Sequence, residues 1–144
     1  MEDYEIRDIF RRSSTPDLWI DFTFNTGSSV SLQLQNNARI SNPFSIRPTI
    51  GNHSREPALY AAIRIYIDCH FTIFACIGFT ERGTSRFRDR ECRVLTKDWR
   101  TPSDLPIFSE NPCDLAPSPI MLQLDANSLD LTEFLIGYEV RDWI

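Results

Sequence analysis

The sequence predicts an all-β protein: an immunoglobulin-like antiparallel β-sandwich of about seven or eight strands, with at most one short N-terminal helix. Apolar and polar residues alternate along most of the chain, which is the period of a half-buried strand. Nine prolines and clusters of Asn, Ser and Gly interrupt these runs, as expected for short strands joined by turns. A chain of 144 residues is long enough for one core. We therefore assign 1–16 to an N-terminal helix or linker and 17–144 to a single β-sandwich domain.

The first elements follow from the spacing of apolar residues. Ile6, Ile9 and Phe10 have helical spacing, which predicts the short N-terminal helix. Apolar residues then alternate over 18–24, and a turn is expected at 25–28. A second alternating run over 30–35 predicts a strand, which we expect to pair with the first as a hairpin.

The longest alternating run, IRIYIDCHFTIFA, covers residues 63–75. An unbroken strand of this length would span roughly 43 Å, well above the usual strand length. The sequence therefore predicts a bend, a bulge or a split near Asp68–His70.

The second half of the chain contains four further short runs. Residues 78–90 are polar and predict a long connection between strands. The four runs predict strands at 91–96, 106–108, 119–125 and within 133–144. In the first half of the chain we also expect a short strand at 44–50.

Asp68, Cys69 and His70 are consecutive and pose a chemical question. In a strand, Cys69 would point away from its two neighbours, so only Asp68 and His70 would share a face. We interpret Asp68 and His70 as a polar pair on the solvent-exposed face of a sheet. An acid–base pair is the alternative. The four cysteines contain no CxxC spacing, which predicts free thiols and no metal site.

Arginines cluster in one segment of an otherwise acidic chain. Residues 81–100 carry seven basic and four acidic groups, whereas the whole chain has a net charge of −5. Arginine forks suit carboxylates and phosphates, and in an extended segment Arg86, Arg88 and Arg90 would face one side. A segment neutralised by its own acidic neighbours is the alternative. The candidate contact for an anionic partner consists of Arg82, Arg86, Arg88, Arg90 and Arg93.

The composition and motifs exclude several classes of function. The apolar stretch 59–79 carries Arg64, Asp68 and His70, each costly at a bilayer centre, so we expect no membrane partner and a cytoplasmic protein. No nucleophile-elbow or zinc-protease motif occurs, and Thr84 replaces the lysine that a phosphate-binding loop would need. The sequence therefore predicts neither an enzyme nor a cofactor.

Several stretches together resemble a known family. They are RRSSTPDLWIDFTF, SLQLQNNARISNPFSI, EPALYAAIRIYID, LPIFSE and FLIGYEVRDWI. In this order they are similar to the C-terminal all-β accessory region of bacterial ATP-binding proteins that carry a Schlafen AlbA-like DNA-binding domain. The likeness runs from about Arg11 to Trp143 and departs from the pattern at Ala38, where Gly is usual, and at Asp142. The resemblance implies an accessory sandwich, without the family's nucleotide-binding residues.

These observations lead to three functional hypotheses. The first is a non-catalytic interaction or regulatory module of a larger nucleic-acid- or ATP-associated bacterial protein, binding another protein domain, with nucleic acid as a weaker alternative. The second is a small-ligand or carbohydrate-binding sandwich that uses exposed aromatics among Trp19, Trp99 and Trp143. The third, least favoured, is a metal- or thiol-dependent enzyme centred on residues 68–76.

Overall fold

The fold is an all-β sandwich, as predicted. The computed structural model describes residues 2–5, 9–13, 18–25, 29–35, 38–101, 103–125 and 135–141. Thirteen strands occur within these ranges: β1 (Glu2–Glu5), β2 (Ile9–Ser13), β3 (Leu18–Phe24), β4 (Ser29–Gln35), β5 (Ala38–Ser41), β6 (Phe44–Asn52), β7 (Tyr60–Asp68), β8 (Phe71–Ala75), β9 (Thr80–Phe87), β10 (Arg90–Arg100), β11 (Cys113–Asp114), β12 (Ile120–Leu124) and β13 (Ile136–Arg141).

The strands form two main sheets and a smaller one. Sheet I has the order β2-β13-β7-β10-β9, and sheet II has the order β11-β6-β12-β8, with β3 also paired to β6. A third sheet has the order β1-β4-β5. Among the pairs in the described ranges, β2 and β13 are parallel and the others are antiparallel.

The core lies between the inner faces of sheets I and II. Alternate residues of β7, among them Ile63, Ile65 and Ile67, are at most 2% exposed and share one apolar cluster with Ile46 and Ile50 of β6. The rings of Phe22 in β3 and Tyr138 in β13 lie 6.3 Å apart across the sandwich. The alternation seen in the sequence therefore corresponds to burial against the opposite sheet.

Sheet I also carries a small apolar cluster on its outer face. We call it the outer cluster; its buried members are Tyr66, Phe87, Cys92, Val94 and Leu135. The rings of Tyr66 and Phe87 stack with centroids 4.3 Å apart. These residues occupy the positions that simple alternation assigns to solvent, so β7 and β10 are buried on both faces at one end.

Several predictions about the elements are wrong. The expected N-terminal helix is replaced at 2–5 and 9–13 by strands, because β2 finds backbone partners along β13. β3 pairs with β6, and β4 pairs with β1 and β5, so β3 and β4 do not form the expected hairpin. The expected polar connection over 78–90 contains β9. For β2 and β3 a partner distant in sequence overrides the local pattern, whereas β9 pairs with β10, the next strand along the chain.

Several predicted features agree with the structure. The run 63–75 splits at residues 69–70 into β7 in sheet I and β8 in sheet II. The strand count exceeds seven or eight because of this split and because β1, β2, β5, β9 and β11 were not expected as strands. The strand expected at 106–108 is wrong, since only isolated bridges occur at Ile107 and Phe108. No helix among the described residues is long and apolar enough to cross a membrane.

Candidate functional site

Asp68 and His70 meet at the point where the chain passes from sheet I to sheet II. Oδ1 of Asp68 accepts the backbone N–H of His70 at 3.1 Å and lies 2.6 Å from Nδ1 of the same residue. An aspartate that accepts a backbone N–H two residues later forms a local turn. The carboxylate therefore shapes the crossover and orients the imidazole ring.

The second oxygen of Asp68 joins two other elements to this crossover. Oδ2 accepts from Nη1 of Arg90 at 3.2 Å and from the backbone N–H of Leu135 at 3.3 Å. The Asp68 side chain is 1% exposed, whereas those of His70 and Arg90 are 33% and 28% exposed. The expectation that the pair lies on a solvent-exposed face is wrong for Asp68, because it lies beside two buried members of the outer cluster: Cys92, its partner on β10, and Leu135, whose N–H it accepts.

Cys69 lies in the crossover turn between its two polar neighbours. Its backbone N–H donates to the carbonyl oxygen of Glu91 at 3.1 Å, so the turn is held against β10. The period-two argument that separated Cys69 from Asp68 and His70 does not apply inside a turn, because the residues at 69–70 are not in a strand.

The four thiols are poor nucleophiles. Burial raises the pKa of Cys69, Cys76 and Cys113, and it raises the pKa of Cys92 to about 12, with a further contribution from the Asp68 carboxylate. Because the thiolate is the reactive form, these environments disfavour thiol catalysis at neutral pH. Within the described residues, no group of three His, Cys, Asp or Glu side chains is placed to hold a metal ion.

The predicted arginine segment forms a hairpin, not an extended surface loop. β9 and β10 are joined by a tight turn at Arg88 and Asp89, whose φ angles are 50° and 63°. Glu91 is paired with Arg86, and Arg90 is paired with Phe87, so Arg86 and Arg90 point to opposite faces. The prediction that Arg86, Arg88 and Arg90 face one side is therefore wrong.

The five predicted arginines contact different groups. Nη1 of Arg90 donates to the buried Asp68, and Nη2 of Arg86 donates to the carbonyl oxygen of Asp89 at 3.4 Å. Arg93 lies 3.9 Å from Glu81, a long and partly exposed ion pair. Arg88 lies in the turn. Of these contacts, only the pair of Arg93 with Glu81 is a local ion pair of the kind that the alternative interpretation expected, whereas Arg90 pairs with Asp68, which is distant in sequence.

Arg82 belongs to a different surface. β9 carries an extra residue opposite β10 between the pairs Thr84–Arg93 and Glu81–Leu95, and Gly83 has a φ of +89° at this bulge. The Nε of Arg82 donates to Oγ1 of Thr96 at 3.2 Å. The bulge therefore turns Arg82 onto the outer face of sheet I, away from Arg93.

A groove of about 570 Å³ lies on this outer face, across β13, β7, β10 and β9. We call it the arginine groove. The charged residues that line it are Arg64, Arg82, Lys97, Asp98, Glu139 and Arg141. The ammonium of Lys97 is turned away from the outer face, because Lys97 is paired with the core residue Ile63 and donates to the carbonyl oxygen of Gly78. The remaining charges are three basic and two acidic, so the groove has a net positive charge on an acidic protein.

The floor of the groove is held by contacts between strands. Arg64 in β7 is paired with Glu139 on one side and with Thr96 on the other. The Tyr66 hydroxyl donates to Oε1 of Glu139 at 3.1 Å, and burial raises the Tyr66 pKa while a hydrogen bond to Arg64 opposes that rise. These contacts orient the guanidinium of Arg64 from below.

Sequence reasoning missed Arg64, Glu139 and Arg141 as members of a site. Alternation along β7 and β13 places each of them on the outer face, which is the only local signal. Their proximity to Arg82 depends on the pairing of β13 with β7 and of β7 with the β9–β10 hairpin, which brings together segments that are far apart in the chain.

The tryptophans give little support to an aromatic ligand surface. The Trp19 indole lies against the backbone of Gly51, where an added Cβ would overlap the ring, and 5.8 Å from the ring of His53. Trp99 is buried, and its Nε1 donates to the carbonyl oxygen of Leu105 at 2.7 Å. Trp143 lies outside the described residues.

Sheet I thus carries two candidate sites among the described residues. One is the buried network around the Asp68 carboxylate at one end of the sheet, and the other is the arginine groove on its outer face. Comparisons of the chain with protein-family models, with curated proteins and with solved structures found no match.

Proposed function

We propose that the chain is a non-catalytic interaction module that binds an acidic segment of another protein domain in the arginine groove. The main supporting observation is that Arg64 and Arg82 line one concave surface on either side of Thr96, Arg64 as its neighbour on β7 and Arg82 through a hydrogen bond to its hydroxyl. Guanidinium groups held in this way are suited to carboxylate recognition.

The charges of the surrounding protein support an acidic protein segment over nucleic acid. The chain has a net charge of −5, and Asp98 and Glu139 lie inside the groove itself. A polyphosphate backbone passing through the groove would meet both carboxylates, which repel it. A protein segment can instead present separate acidic and polar groups.

A non-catalytic role is consistent with the chemistry of the two sites. Asp68 is committed to three elements of the fold, and the thiols have raised pKa values. The resemblance to accessory sandwiches of larger, cytoplasmic bacterial proteins points the same way. We therefore include in the proposal that the partner is a domain of such a protein.

The proposal is tested by measuring, as a function of salt, the affinity of the chain for a blocked acidic peptide in which Glu residues are separated by Ser and Thr. We expect binding that weakens as salt rises, and a loss of at least about tenfold in the variant Arg64→Gln, Arg82→Gln. The matched control is Arg86→Gln, Arg88→Gln, which removes the same charge from the neighbouring hairpin and should cost less than about threefold.

Two results would contradict the proposal. Equal losses in the two double variants would show that general charge, not the groove, carries binding. Tighter binding of duplex DNA than of the acidic peptide at the same salt concentration would favour a nucleic-acid partner instead. Arg90 is left out of both variants because it contacts the buried Asp68, so its replacement would alter folding as well as charge.

A further inference from the structure

Thr96 is the centre of the arginine groove. It is paired with Arg64 of β7 on one side and with Thr80 of β9 on the other, and its Oγ1 accepts from Nε of Arg82. Side chains of directly paired residues are about 5 Å apart at Cβ. Arg64 and Arg82 therefore extend from the two strands on either side of Thr96, and both line the same groove. Because Arg82 uses its Nε for Thr96, its two terminal nitrogens are the groups left for a ligand.

Asp98 provides an opposite charge at a defined spacing from this position. It lies two residues beyond Thr96 on β10, on the same face, and is paired with the small residue Ala62. Residues two apart in a strand are separated by about 7 Å. Among the residues whose side chains are described, Arg64, Arg82 and Asp98 form no ion pair with one another or with other groups.

This spacing selects a class of ligand. In an extended peptide, side chains two positions apart point to the same side and are also about 7 Å apart. A free amino acid carries its two charges much closer together, and a nucleic acid presents only negative charges along its backbone. β9 is the edge strand of sheet I, and its residues from Thr80 to Arg86 are exposed, so an extended segment can reach the groove from that side.

We propose, on the basis of the proposed function, that the groove recognises an extended peptide whose acidic and basic residues lie two positions apart. The acidic side chain binds between Arg64 and Arg82, and the basic side chain binds Asp98. Recognition therefore depends on the spacing of opposite charges as well as on net charge, which distinguishes this ligand from a uniformly acidic one.

The test is an NMR titration of the full chain at low salt with short blocked peptides of Thr and Ser. One peptide carries Glu and Lys two positions apart, a second carries them next to each other, and a third has Gln in place of Lys. We expect the first to bind about fivefold more tightly than the other two. Asp98→Asn should remove this preference but leave the dependence on Glu. Asp114→Asn, an exposed acid on sheet II, is the matched control and should change nothing.

The outcomes separate the two proposals. If all Glu-containing peptides bind equally in the native chain and lose affinity in Arg64→Gln, Arg82→Gln, the spacing rule is overturned and the interaction function stands. If Asp98→Asn keeps the preference for the first peptide, the role of Asp98 is overturned. If no peptide shifts the amide signals of the groove, both proposals fail.

Discussion

Oδ1 of Asp68 lies 2.6 Å from Nδ1 of His70 and also accepts the backbone N–H of that residue. This contact occurs where the chain leaves sheet I for sheet II, and the opposite oxygen of the same carboxylate contacts Arg90 and Leu135. A single buried side chain thus connects the end of β7, the start of β10 and the start of β13. The hydrogen bonds of Asp68 should therefore contribute to the free energy of unfolding.

Replacing Asp68 by Ala should strongly destabilise the protein. The change leaves Arg90 and two backbone N–H groups without their acceptor at a buried position, which costs about 3 kcal/mol or more. Urea denaturation measures the free energy of unfolding. The matched control is Asp114→Ala, which breaks an exposed pair with Arg47 and should cost less than about 1 kcal/mol. Similar losses in the two variants would contradict the structural role of Asp68.

The pKa of Cys92 predicts a loss of stability at alkaline pH. Burial raises it from 9.0 to about 12, so between these values the unfolded chain releases a proton that the folded chain keeps. The contribution of the Cys92 thiol to the free energy of unfolding is therefore fully present below pH 9. It decreases as the pH rises toward 12, by up to about 1.4 kcal/mol per pH unit. Cys92→Ala should make the decline shallower in urea titrations between pH 8 and 10.5. Cys113→Ala, which changes a partly exposed thiol, should affect the slope less; equal slopes in the native chain and Cys92→Ala would refute the assignment.

A glycine in the turn between β9 and β10 should stabilise the folded protein. Arg88 and Asp89 both adopt left-handed backbone angles, which cost a side-chain-bearing residue about 1 kcal/mol or more. We expect Asp89→Gly to increase the free energy of unfolding by about 1 kcal/mol. Gly83→Ala is the reverse test at φ +89°: an added Cβ meets no atom within 4 Å there, so its cost arises from the backbone alone. A destabilising Asp89→Gly would show that the Asp89 side chain contributes more than the strain costs.

The contact between Trp19 and Gly51 predicts a steric conflict that can be isolated. A Cβ at position 51 would overlap the indole ring, so Gly51→Ala should displace Trp19 and cost about 1–3 kcal/mol, with a red shift in tryptophan fluorescence. If the ring is the cause, Gly51→Ala should cost much less in a Trp19→Ala background.

The small-ligand alternative is tested by titrating the native chain and Trp19→Ala with oligosaccharides. Quenching of tryptophan fluorescence that is lost in Trp19→Ala would support this alternative over the interaction module.

Local patterns in the sequence were sufficient to predict the strands and the main break. Alternation placed β3, β6, β12 and most of β7 correctly, because side chains on successive residues of a strand point to opposite faces whatever the strand pairs with. Strand length alone predicted the split at 69–70. Helical spacing near Phe10 was misleading, because a short apolar pattern is overridden when a neighbouring strand supplies backbone hydrogen bonds.

Strand pairing and burial were decided only by tertiary structure. Alternation does not specify a partner, so neither the pairing of β3 with β6 nor the position of β9 at the edge of sheet I could be deduced from it. The same limit applies to function. Asp68 is buried beside Cys92 and Leu135 of the outer cluster, and Arg64 and Arg82 line one groove because β10 holds their strands on its two sides. Hydrogen bonds between strands join residues that are distant in the chain, and those contacts create both the buried carboxylate and the groove.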